Sequence, residues 1–600
     1  MATHEDISEQ KFERLNQNLA QVEALSQRLV QALSVRKPAN PTLNGPSQDL
    51  FARAATTYWA DFLENPSRIY EQQLEYWGKS VRHFIEAQQA MVQSQADPEE
   101  QGDDRLKGDR RFSNPLWETN PYFHYIKQQY ATNAATIRQA VAEIEDLDQT
   151  DKQRLDYFSR QIIDMMSPTN FLGTNPDALE KAVETEGASL VKGLENLVAD
   201  LEANNGELVV RLADESAFEL GENVATSPGE VVYRNKMMEL IQYAPTTEQV
   251  HSTPLVIFPP WINKFYILDL KEQNSLIKWI TDQGYTLFVV SWVNPDASFA
   301  DVGLEEYIED GFLAAIREVK AICNVKQVNA VGYCIAGTTL HLTLALMAKR
   351  GDKSVKSATF FTALTDFAEQ GEFVPFLQND FIDGIEEEVN EQGILRSFIM
   401  SRTMSFLRSN DLIYSPAIKS YMMGETPPAF DLLYWNGDGA NLPGKMTMQY
   451  LRGLCQRNEF IDGGFELFGE TLHISDVKIP LMAVTCETDH IAAWKDCYRG
   501  FQQTGAKDRS FIVSESGHIA GIVNPPSKKK YGHYTNADLS LNADDWQEGA
   551  EFHKGSWWPR WETWLRKRSG KKISAREPGD SSHQPLAPAP GAYVRRKAMG

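Results

Sequence analysis

The stretch 328–338, which reads VNAVGYCIAGT, constrains the fold of this chain more than any other part of it. Its first half is a short apolar run with β-branched residues, which predicts a buried strand, and the apolar stretch 338–347 predicts a buried helix. Between them lies the pattern G-x-C-x-x-G, which is the nucleophile-elbow pattern with cysteine in the place where serine usually stands. A strand–turn–helix unit of this kind predicts an α/β fold.

The small residues around Cys334 fit the geometry of such an elbow. The chain turns sharply between strand and helix, so backbone segments come close together, and Gly332, Ala336 and Gly337 leave room for this approach. The turn exposes the nucleophile and aims the first amides of the helix at the same point. We therefore expect the backbone N–H of Ile335 to form half of an oxyanion hole. The stretch alone also fits a structural role, because free cysteine commonly acts as a small buried hydrophobe.

Partners for a cysteine nucleophile follow two later apolar runs. The predicted strand 479–485 leads to Asp489, and the predicted strand 511–514 leads to His518, which is the chain order of nucleophile, acid and histidine in α/β-hydrolases. Asp489 could cap a helix and His518 could be one of 11 scattered histidines, but their equivalent positions at strand ends favour catalysis. His490 is the rival candidate. Because the side chains of adjacent residues point in different directions, Asp489 and His490 cannot both face the pocket equally. We expect His490 to support the catalytic residues without acting on the substrate.

A second oxyanion donor is expected in the loop after the apolar run 255–258. Pro259 and Pro260 have no N–H group, so the available donors begin at Trp261, and we favour the backbone N–H of Ile262. The sequence contains no GxxxxGK[ST] or strand-to-helix GxGxxG phosphate motif and no HExxH metal motif. We therefore expect chemistry without a cofactor or a metal ion.

Composition limits the classes of function. The formal net charge of −23 over 600 residues argues against nucleic acid as the main partner, because binding phosphates along a nucleic acid requires a basic surface. Five cysteines without CxxC spacing argue against a disulfide framework or a zinc site, and they fit a reducing cytoplasm. The polar, acidic N-terminus shows no secretory signal, and no apolar run approaches the roughly 18 residues of a membrane span.

A change in the hydrophobic pattern of the sequence near residue 206 predicts two domains. Residues 1–205 carry helical patterns and predict an α-helical N-terminal domain, whereas residues 206–600 alternate short apolar runs with helical stretches, which predicts a mainly parallel sheet. The six apolar runs predicted as its strands are 255–258, 286–291, 328–331, 357–362, 481–485 and 511–514. The interval 366–436, helical in pattern and rich in Phe and Met, interrupts this alternation, and we expect it to be a cap inserted over the sheet. The stretch 571–600 is basic and then Pro-rich, and we expect it to be extended or mobile.

With these residues placed, the sequence resembles the polyhydroxyalkanoate synthases, and class I most closely, from about Arg110 onward. One departure is visible, because the family's box usually reads G-x-C-x-G-G and Ala336 replaces a glycine here. Alanine is small, so we expect the elbow to survive. Besides the Cys334 elbow, the matching motifs are Ser167–Leu172, Thr174–Pro176, Pro259–Pro260, Ile262–Leu270, Ser291–Trp292, Asn294–Pro295, Tyr434–Asn436, Asp489–Ile491, Gly517–Gly521, Pro590–Gly591 and Tyr593–Val594.

The resemblance implies an α/β-hydrolase fold and an enzyme that polymerises (R)-3-hydroxyacyl-CoA, with short-chain monomers such as 3-hydroxybutyryl-CoA, into polyester and releases CoA. It implies that Cys334 carries the acyl group, that His518 activates Cys334 and that Asp489 activates the 3-hydroxyl of the incoming monomer. It also implies a homodimer in the cytoplasm at the surface of polyester granules, attached through the N-terminal domain, with phasin-type granule proteins as candidate partners.

Two other functions stay open at this level. A cysteine-dependent α/β-hydrolase acting on an ester or lactone would use the same residues but transfer the acyl group to water. A non-catalytic granule-coat protein would bind granules through its helical N-terminal region without turnover. The combination of Cys334, Asp489 and His518 argues against the second alternative.

Overall fold

The computed structural model describes residues 108–144 and 147–598, together with Leu106 and parts of the segment 21–34. Of the residues predicted to be helical, 1–20 and 35–105 lie outside the described residues. The described chain divides into two compact units. One, called the N-terminal unit below, contains the described part of Met1–Leu212 with Arg402–Pro428, and the other, called the catalytic unit, contains Ala213–Ser401 and Ala429–Gly600.

The N-terminal unit is built from helices, as the sequence predicts. Between residues 108 and 212, the helices of nine or more residues are α1 (Pro121–Ala142), α2 (Gln149–Met165), α3 (Pro176–Glu184) and α4 (Ala188–Ala203). The side chains of Asn120, Asp148 and Asn175 accept backbone N–H groups at the starts of α1, α2 and α3. These caps satisfy amides that have no partner inside the helix. Buried aromatic residues, Trp117 and Phe123 among them, form the core that these helices enclose.

An eleven-stranded sheet organises the catalytic unit. Its strands are β1 (Gly229–Arg234), β2 (Met238–Tyr243), β3 (Leu255–Phe258), β4 (Leu287–Trp292), β5 (Val328–Tyr333), β6 (Val355–Phe361), β7 (Leu481–Cys486), β8 (Arg509–Ser514), β9 (His533–Thr535), β10 (Glu551–His553) and β11 (Ala587–Pro588). The spatial order is β10-β9-β8-β7-β6-β5-β3-β4-β2-β1-β11.

The central part of this sheet is parallel, and both of its edges are antiparallel. Strands β8, β7, β6, β5, β3 and β4 pair in parallel with their neighbours. Strands β9 and β10 on one side, and β2, β1 and β11 on the other, pair antiparallel. The six apolar runs predicted as strands form this parallel centre. The carboxyl ends of its strands therefore meet at one edge of the sheet, where loops of α/β folds carry ligand sites.

Helices cover the sheet and explain why its central strands are apolar on both faces. All residues of β3, β4 and β5 are buried, in a core that includes the indole rings of Trp557, Trp558 and Trp561. The α-helices of seven or more residues that follow α4 are α5 (Leu276–Asp282), α6 (Ala314–Cys323), α7 (Ile335–Lys349), α8 (Asn379–Gln392), α9 (Ser397–Phe406), α10 (Asp431–Gly437), α11 (Trp494–Gln502) and α12 (Trp558–Arg566).

The interval 366–436, expected as one cap, is divided between the two units. Residues 402–428 group with the N-terminal unit and form hydrogen bonds with its helices. The Tyr421 hydroxyl donates to Asp200 over 2.6 Å, and the Asn196 amide donates to the carbonyl of Ser420 over 3.1 Å. The interval also contains the short strand Ile394–Leu395, which pairs with Leu442–Pro443.

The C-terminal stretch, expected to be extended or mobile, contains strands that pair with distant parts of the catalytic unit. Lys572–Ser574 pairs antiparallel with Gln249–His251, and β11 pairs with β1. Both pairings supply main-chain hydrogen bonds that a Pro-rich stretch cannot form within itself. Among the described residues, no helix is both long and apolar enough to cross a bilayer.

Candidate active site

Cys334 stands at a sharp turn between β5 and α7, as the elbow pattern predicts. Its backbone has φ 54° and ψ −126°, a conformation that costs a non-glycine residue about 1–3 kcal/mol. The two glycines make the turn sterically feasible. A Cβ atom on Gly332 would lie 2.7 Å from the Cα of Gly337, and one on Gly337 would lie 2.5 Å from the Cβ of Ala363. The close packing of strand against helix therefore holds the strained nucleophile in position.

The residues after the nucleophile form the first turn of α7. Ile335 is the first helical residue, so its N–H has no carbonyl partner within the helix and is available to a ligand. Ala336, which replaces a glycine of the family box, is fully buried. The elbow is thus formed with a methyl group at this position. The amides of Gly337 and Thr338 both donate to the carbonyl of Cys334, which closes the turn.

His518 and Asp489 meet at the ends of neighbouring strands β8 and β7. The Nδ1 atom of His518 lies 2.7 Å from Oδ2 of Asp489, and this places the two residues in hydrogen-bond contact. Oδ1 of Asp489 accepts the backbone N–H groups of Ile491 and Ala492 over 2.8 and 2.9 Å. Both carboxylate oxygens are therefore engaged, and the orientation of the imidazole is fixed from one side.

The surroundings of His518 favour its protonated form. Burial opposes the positive charge, but the Asp489 carboxylate and the hydrogen-bonded side chain of Cys334 outweigh burial and raise the pKa of His518 to about 10. Its side chain is only 10% exposed. The imidazole therefore lies between the carboxylate and the sulfur, and both favour its protonated form.

Cys334 differs from the other four cysteines, all of which lie in the described part of the chain. It is partly exposed, whereas Cys323, Cys455, Cys486 and Cys497 are buried. Burial raises the pKa of the Cys323 thiol to about 12 and also raises the pKa values of the other three thiols. Since the thiolate is the reactive form, these four thiols are inert compared with a partly exposed cysteine beside a histidine.

Ile262 and His490 lie where the sequence places them, in the loops after β3 and β7. The carbonyl of Ile262 accepts the N–H of Ala440 over 2.8 Å, which fixes this loop against the segment after α10. His490 is partly buried next to Asp489, while His518 takes the contact with the carboxylate. The roles of Ile262 as oxyanion donor and of His490 as supporting residue stay predictions.

Tyr333 belongs to the site although the sequence pattern predicts no role for it. Its hydroxyl donates to the backbone carbonyl of His518 over 3.1 Å, and the two rings lie 5.8 Å apart between centroids. Burial raises the pKa of Tyr333 well above its ordinary value, so the hydroxyl stays a donor. This contact ties the histidine loop to the strand that carries the nucleophile. Its one sequence signal is its position directly before Cys334.

Comparison with known proteins agrees with this architecture. A family model described as "Poly-beta-hydroxybutyrate polymerase (PhaC) N-terminus" matches residues 108–280, and one described as "alpha/beta hydrolase fold" matches residues 253–525. The poly(3-hydroxyalkanoate) polymerase of Methylorubrum extorquens is 43% identical over 491 residues, which cover 82% of this chain and 81% of the relative.

Two further relatives extend the likeness to other bacteria. The poly(3-hydroxyalkanoate) polymerase subunit PhaC of Rhizobium etli is 37% identical over 90% of this chain and 85% of its own length. That of Cupriavidus necator is 38% identical over 82% of this chain and 83% of its own length. Identity at this level over most of both chains establishes common family membership. The chain therefore belongs to the poly(3-hydroxyalkanoate) polymerases, enzymes of polyester synthesis, and is built on an α/β-hydrolase fold.

Proposed function

We propose that this enzyme polymerises (R)-3-hydroxyacyl-CoA thioesters through a covalent thioester on Cys334, with release of CoA. One observation carries the proposal: the only partly exposed cysteine among the described residues stands at the elbow, in hydrogen-bond contact with a histidine that a buried aspartate orients. This arrangement activates a sulfur nucleophile at neutral pH without a metal ion. Short-chain monomers such as 3-hydroxybutyryl-CoA are the proposed substrates.

The first half-reaction transfers an acyl group to sulfur. We propose that His518 holds the proton that Cys334 gives up when it attacks, and the raised pKa of His518, about 10, supports this role. The Cys334 thiolate attacks the thioester carbonyl, and the N–H groups of Ile335 and Ile262 are the proposed donors to the oxyanion. The carbon–sulfur bond to CoA then breaks, and His518 gives its proton to the departing CoA thiolate. The products are acyl-Cys334, free CoA and a neutral imidazole.

The second half-reaction forms the ester bond. Acylation removes the negative charge of Cys334, and with it one of the interactions that raise the pKa of His518. The neutral imidazole is then able to accept the proton of the 3-hydroxyl group of a second monomer. The hydroxyl oxygen attacks the acyl-Cys334 carbonyl, the carbon–sulfur bond breaks, and the cysteine thiolate is regenerated beside protonated His518. The lengthened chain, now on CoA, returns to Cys334 by the first half-reaction.

Two roles for Asp489 are compatible with catalysis. The family resemblance implies that it is the base for the monomer hydroxyl. The contact between Oδ2 and Nδ1 of His518, together with the two backbone amides on Oδ1, supports an orienting role, because no carboxylate oxygen is left without a partner. We therefore propose that His518 serves both half-reactions and that Asp489 fixes its tautomer and orientation.

The cellular setting is proposed from the family. We propose a cytoplasmic enzyme that acts at the surface of the polyester granule as a homodimer, with the N-terminal region in contact with the granule and with phasin-type proteins. The water-insoluble polyester accumulates where the enzyme elongates it, so a granule surface is the natural consequence of the reaction.

The direct test is acylation of the purified protein. We expect the Cys334→Ala variant to remain folded and to release no CoA from 3-hydroxybutyryl-CoA, because no other reactive thiol stands at the elbow. Single replacement of Cys323, Cys455, Cys486 or Cys497 by alanine is the matched control and should leave most of the activity. Turnover by folded Cys334→Ala would disprove the covalent mechanism. Release of 3-hydroxy acid in place of polymer by the wild type would favour the cysteine hydrolase.

A further inference from the structure

A cluster of lysines lies beside the catalytic histidine loop. Lys528, Lys529 and Lys530 are consecutive and exposed, ten or more residues after His518, and Lys271 is exposed in the segment before α5. These four residues are called the lysine cluster. The chain as a whole carries a formal net charge of −23. A local excess of positive charge in such an acidic protein marks a surface suited to an anionic ligand.

The members of the cluster lie close enough to influence one another. The Nζ atom of Lys271 lies 3.1 Å from Oδ2 of Asp431, at the start of α10. Lys528 faces the same carboxylate. Burial lowers the pKa of Lys528, the charge of Asp431 opposes this effect, and the charges of Lys271 and Lys530 add to the lowering. The buried carboxylate of Asp431 therefore neutralises only part of the positive charge of the lysine cluster.

The cluster is connected to the active site through the loop after β8. The Tyr531 side chain is hydrogen-bonded to Lys530 and to Ser516, which stands two residues before His518. The ammonium group of Lys530 also lies 4.8 Å from the centroid of the Tyr531 ring, and the Asn524 amide donates to the Tyr531 carbonyl over 3.0 Å. The lysines thus occupy the outer end of the loop whose inner end carries the catalytic imidazole.

The same loop packs on the core around the nucleophile. Ile519 and Val523, on the segment between His518 and the lysines, pack against one hydrophobic cluster together with Cys334 and with Leu432 and Leu433 of α10. Asp431, the carboxylate that Lys271 and Lys528 face, directly precedes these leucines. The segment that leads to the lysines and the helix that follows Asp431 therefore pack on the same core as Cys334.

We propose that the lysine cluster binds the phosphate groups of the acyl-CoA substrate, an inference that rests on the function proposed above. CoA carries its charge on a diphosphate and a 3′-phosphate, and a long pantetheine arm separates both from the thioester. The phosphates therefore belong outside the pocket when the thioester meets Cys334. Lysine side chains suit this task because they act as compact, mobile point charges toward phosphate oxygens.

The test compares thioesters with and without phosphate groups. The variant is the double substitution Lys528→Gln and Lys530→Gln, and the substrates are 3-hydroxybutyryl-CoA and the 3-hydroxybutyryl thioester of N-acetylcysteamine. We expect the KM for the CoA thioester to rise about five- to tenfold with kcat changed less than about twofold, as for the loss of two exposed charge contacts. The KM for the phosphate-free thioester should not change.

A matched control removes two lysines at the opposite edge of the sheet. Lys478 and Lys507 are exposed and precede β7 and β8, whereas the lysine cluster follows β8. The double substitution Lys478→Gln and Lys507→Gln changes the net charge equally and should leave both KM values as in the wild type. Added NaCl should raise the wild-type KM for the CoA thioester and affect the cluster variant less, because salt screens exposed charges.

The outcomes separate this inference from the proposed function. An unchanged KM for the CoA thioester in the cluster variant overturns the inference, and so does an equal rise for both thioesters, which would mean that the lysines only maintain the loop. Calorimetry measures the affinity for 3′,5′-ADP, which contains phosphate groups but no thioester and is not turned over. The cluster variant should bind it at least fivefold more weakly than the wild type. If the wild type processes neither thioester but still binds 3′,5′-ADP through these lysines, the proposed function fails and the phosphate site stands.

Discussion

The proton between Cys334 and His518 controls the chemistry of this enzyme at the scale of single residues. The imidazole is buried, yet its pKa is raised to about 10 because a carboxylate and a sulfur flank it. A buried imidazole without such partners behaves in the opposite way. Burial lowers the pKa of His341 to about 3, although its Nδ1 lies 2.9 Å from the Gly337 carbonyl. The partners, and not burial itself, make His518 a base for the thiol.

The raised pKa of His518 predicts a pH dependence of stability. An unfolded histidine has a pKa of about 6.5, so the stabilisation is fully present below that pH. It is lost as the pH rises toward the folded pKa of about 10, because the folded state binds the extra proton over this range. We expect the difference in free energy of unfolding between wild type and His518→Gln to decrease from pH 6.5 to pH 10. Urea unfolding across this range measures it, and a constant difference contradicts the prediction.

Replacing Asp489 separates its two proposed roles. If Asp489 orients His518, the Asp489→Asn variant should lose the first acylation and elongation together, by about 10³- to 10⁴-fold as in other triads. If Asp489 is the base for the hydroxyl, the first acylation should survive and a stoichiometric burst of CoA should precede very slow turnover. Rapid quenching followed by intact-protein mass measurement reads the acyl group on Cys334. The contact of 2.7 Å with His518 leads us to expect the first result.

At the scale of secondary-structure elements, the elbow depends on the close approach of β5 and α7. Glycine is required at position 337 for steric reasons. A Cβ on Gly337 would lie 2.5 Å from the Cβ of Ala363 and 3.0 Å from the Gly332 carbonyl oxygen. The neighbouring Ala336 is tolerated with its methyl group buried. The two small residues of the box therefore have different requirements, although the sequence pattern treats them alike.

Substitution of these positions tests that difference. We expect Gly337→Ala to destabilise the protein by about 1–3 kcal/mol, as overpacking does, and to reduce acylation because Cys334 shifts. Gly437→Ala is the control, since a Cβ there meets no atom within 4 Å. Urea unfolding together with acylation rates measures both effects. Equal effects of the two substitutions would refute the steric explanation.

At the scale of the whole catalytic unit, the C-terminal residues complete the sheet and contact the loop that carries Ile262. The amides of Ala592 and Tyr593 both donate to Oε2 of Glu239, a buried residue of β2, over 2.9 Å. The Lys264 ammonium donates to the Arg596 carbonyl over 2.8 Å. Buried charges are costly unless paired and hydrogen-bonded. These terminal residues therefore stabilise charged groups that the rest of the unit leaves incompletely paired.

Removal of the terminus should expose this dependence. We expect a chain that ends at Pro585, without β11, to lose about 2–4 kcal/mol of unfolding free energy, because several hydrogen bonds to buried charged groups disappear. Lys597→Ala is the control. Lys597 lies 3.5 Å from Asp438 but its side chain is 53% exposed, so its loss should cost less than about 1 kcal/mol. Denaturant unfolding of both variants measures this, and equal stability of truncated and full-length chains would contradict it.

The sequence by itself determined the parallel centre of the sheet and the elbow. Apolar runs are local patterns, and strands buried on both faces have to be apolar, so the six runs from residue 255 to residue 514 could be assigned directly. The glycines around Cys334 and the strand-end positions of Asp489 and His518 are equally local. Family motifs along most of the chain added the polymerase identity, which the relatives confirm.

Only the tertiary structure decided which polar groups meet. Strands β1 and β2 were not predicted from the sequence, because polar residues such as Glu239 and Gln242 interrupt their apolar pattern. Both of these residues are buried, and distant segments supply their hydrogen-bond partners. The grouping of residues 402–428 with the N-terminal helices and the pairing of β11 with β1 arise in the same way. Tyr333 and His518 are 185 residues apart in the chain. Hydrophobic periodicity depends on neighbouring residues and can be identified in the sequence, whereas hydrogen bonds between remote segments form only when the chain folds.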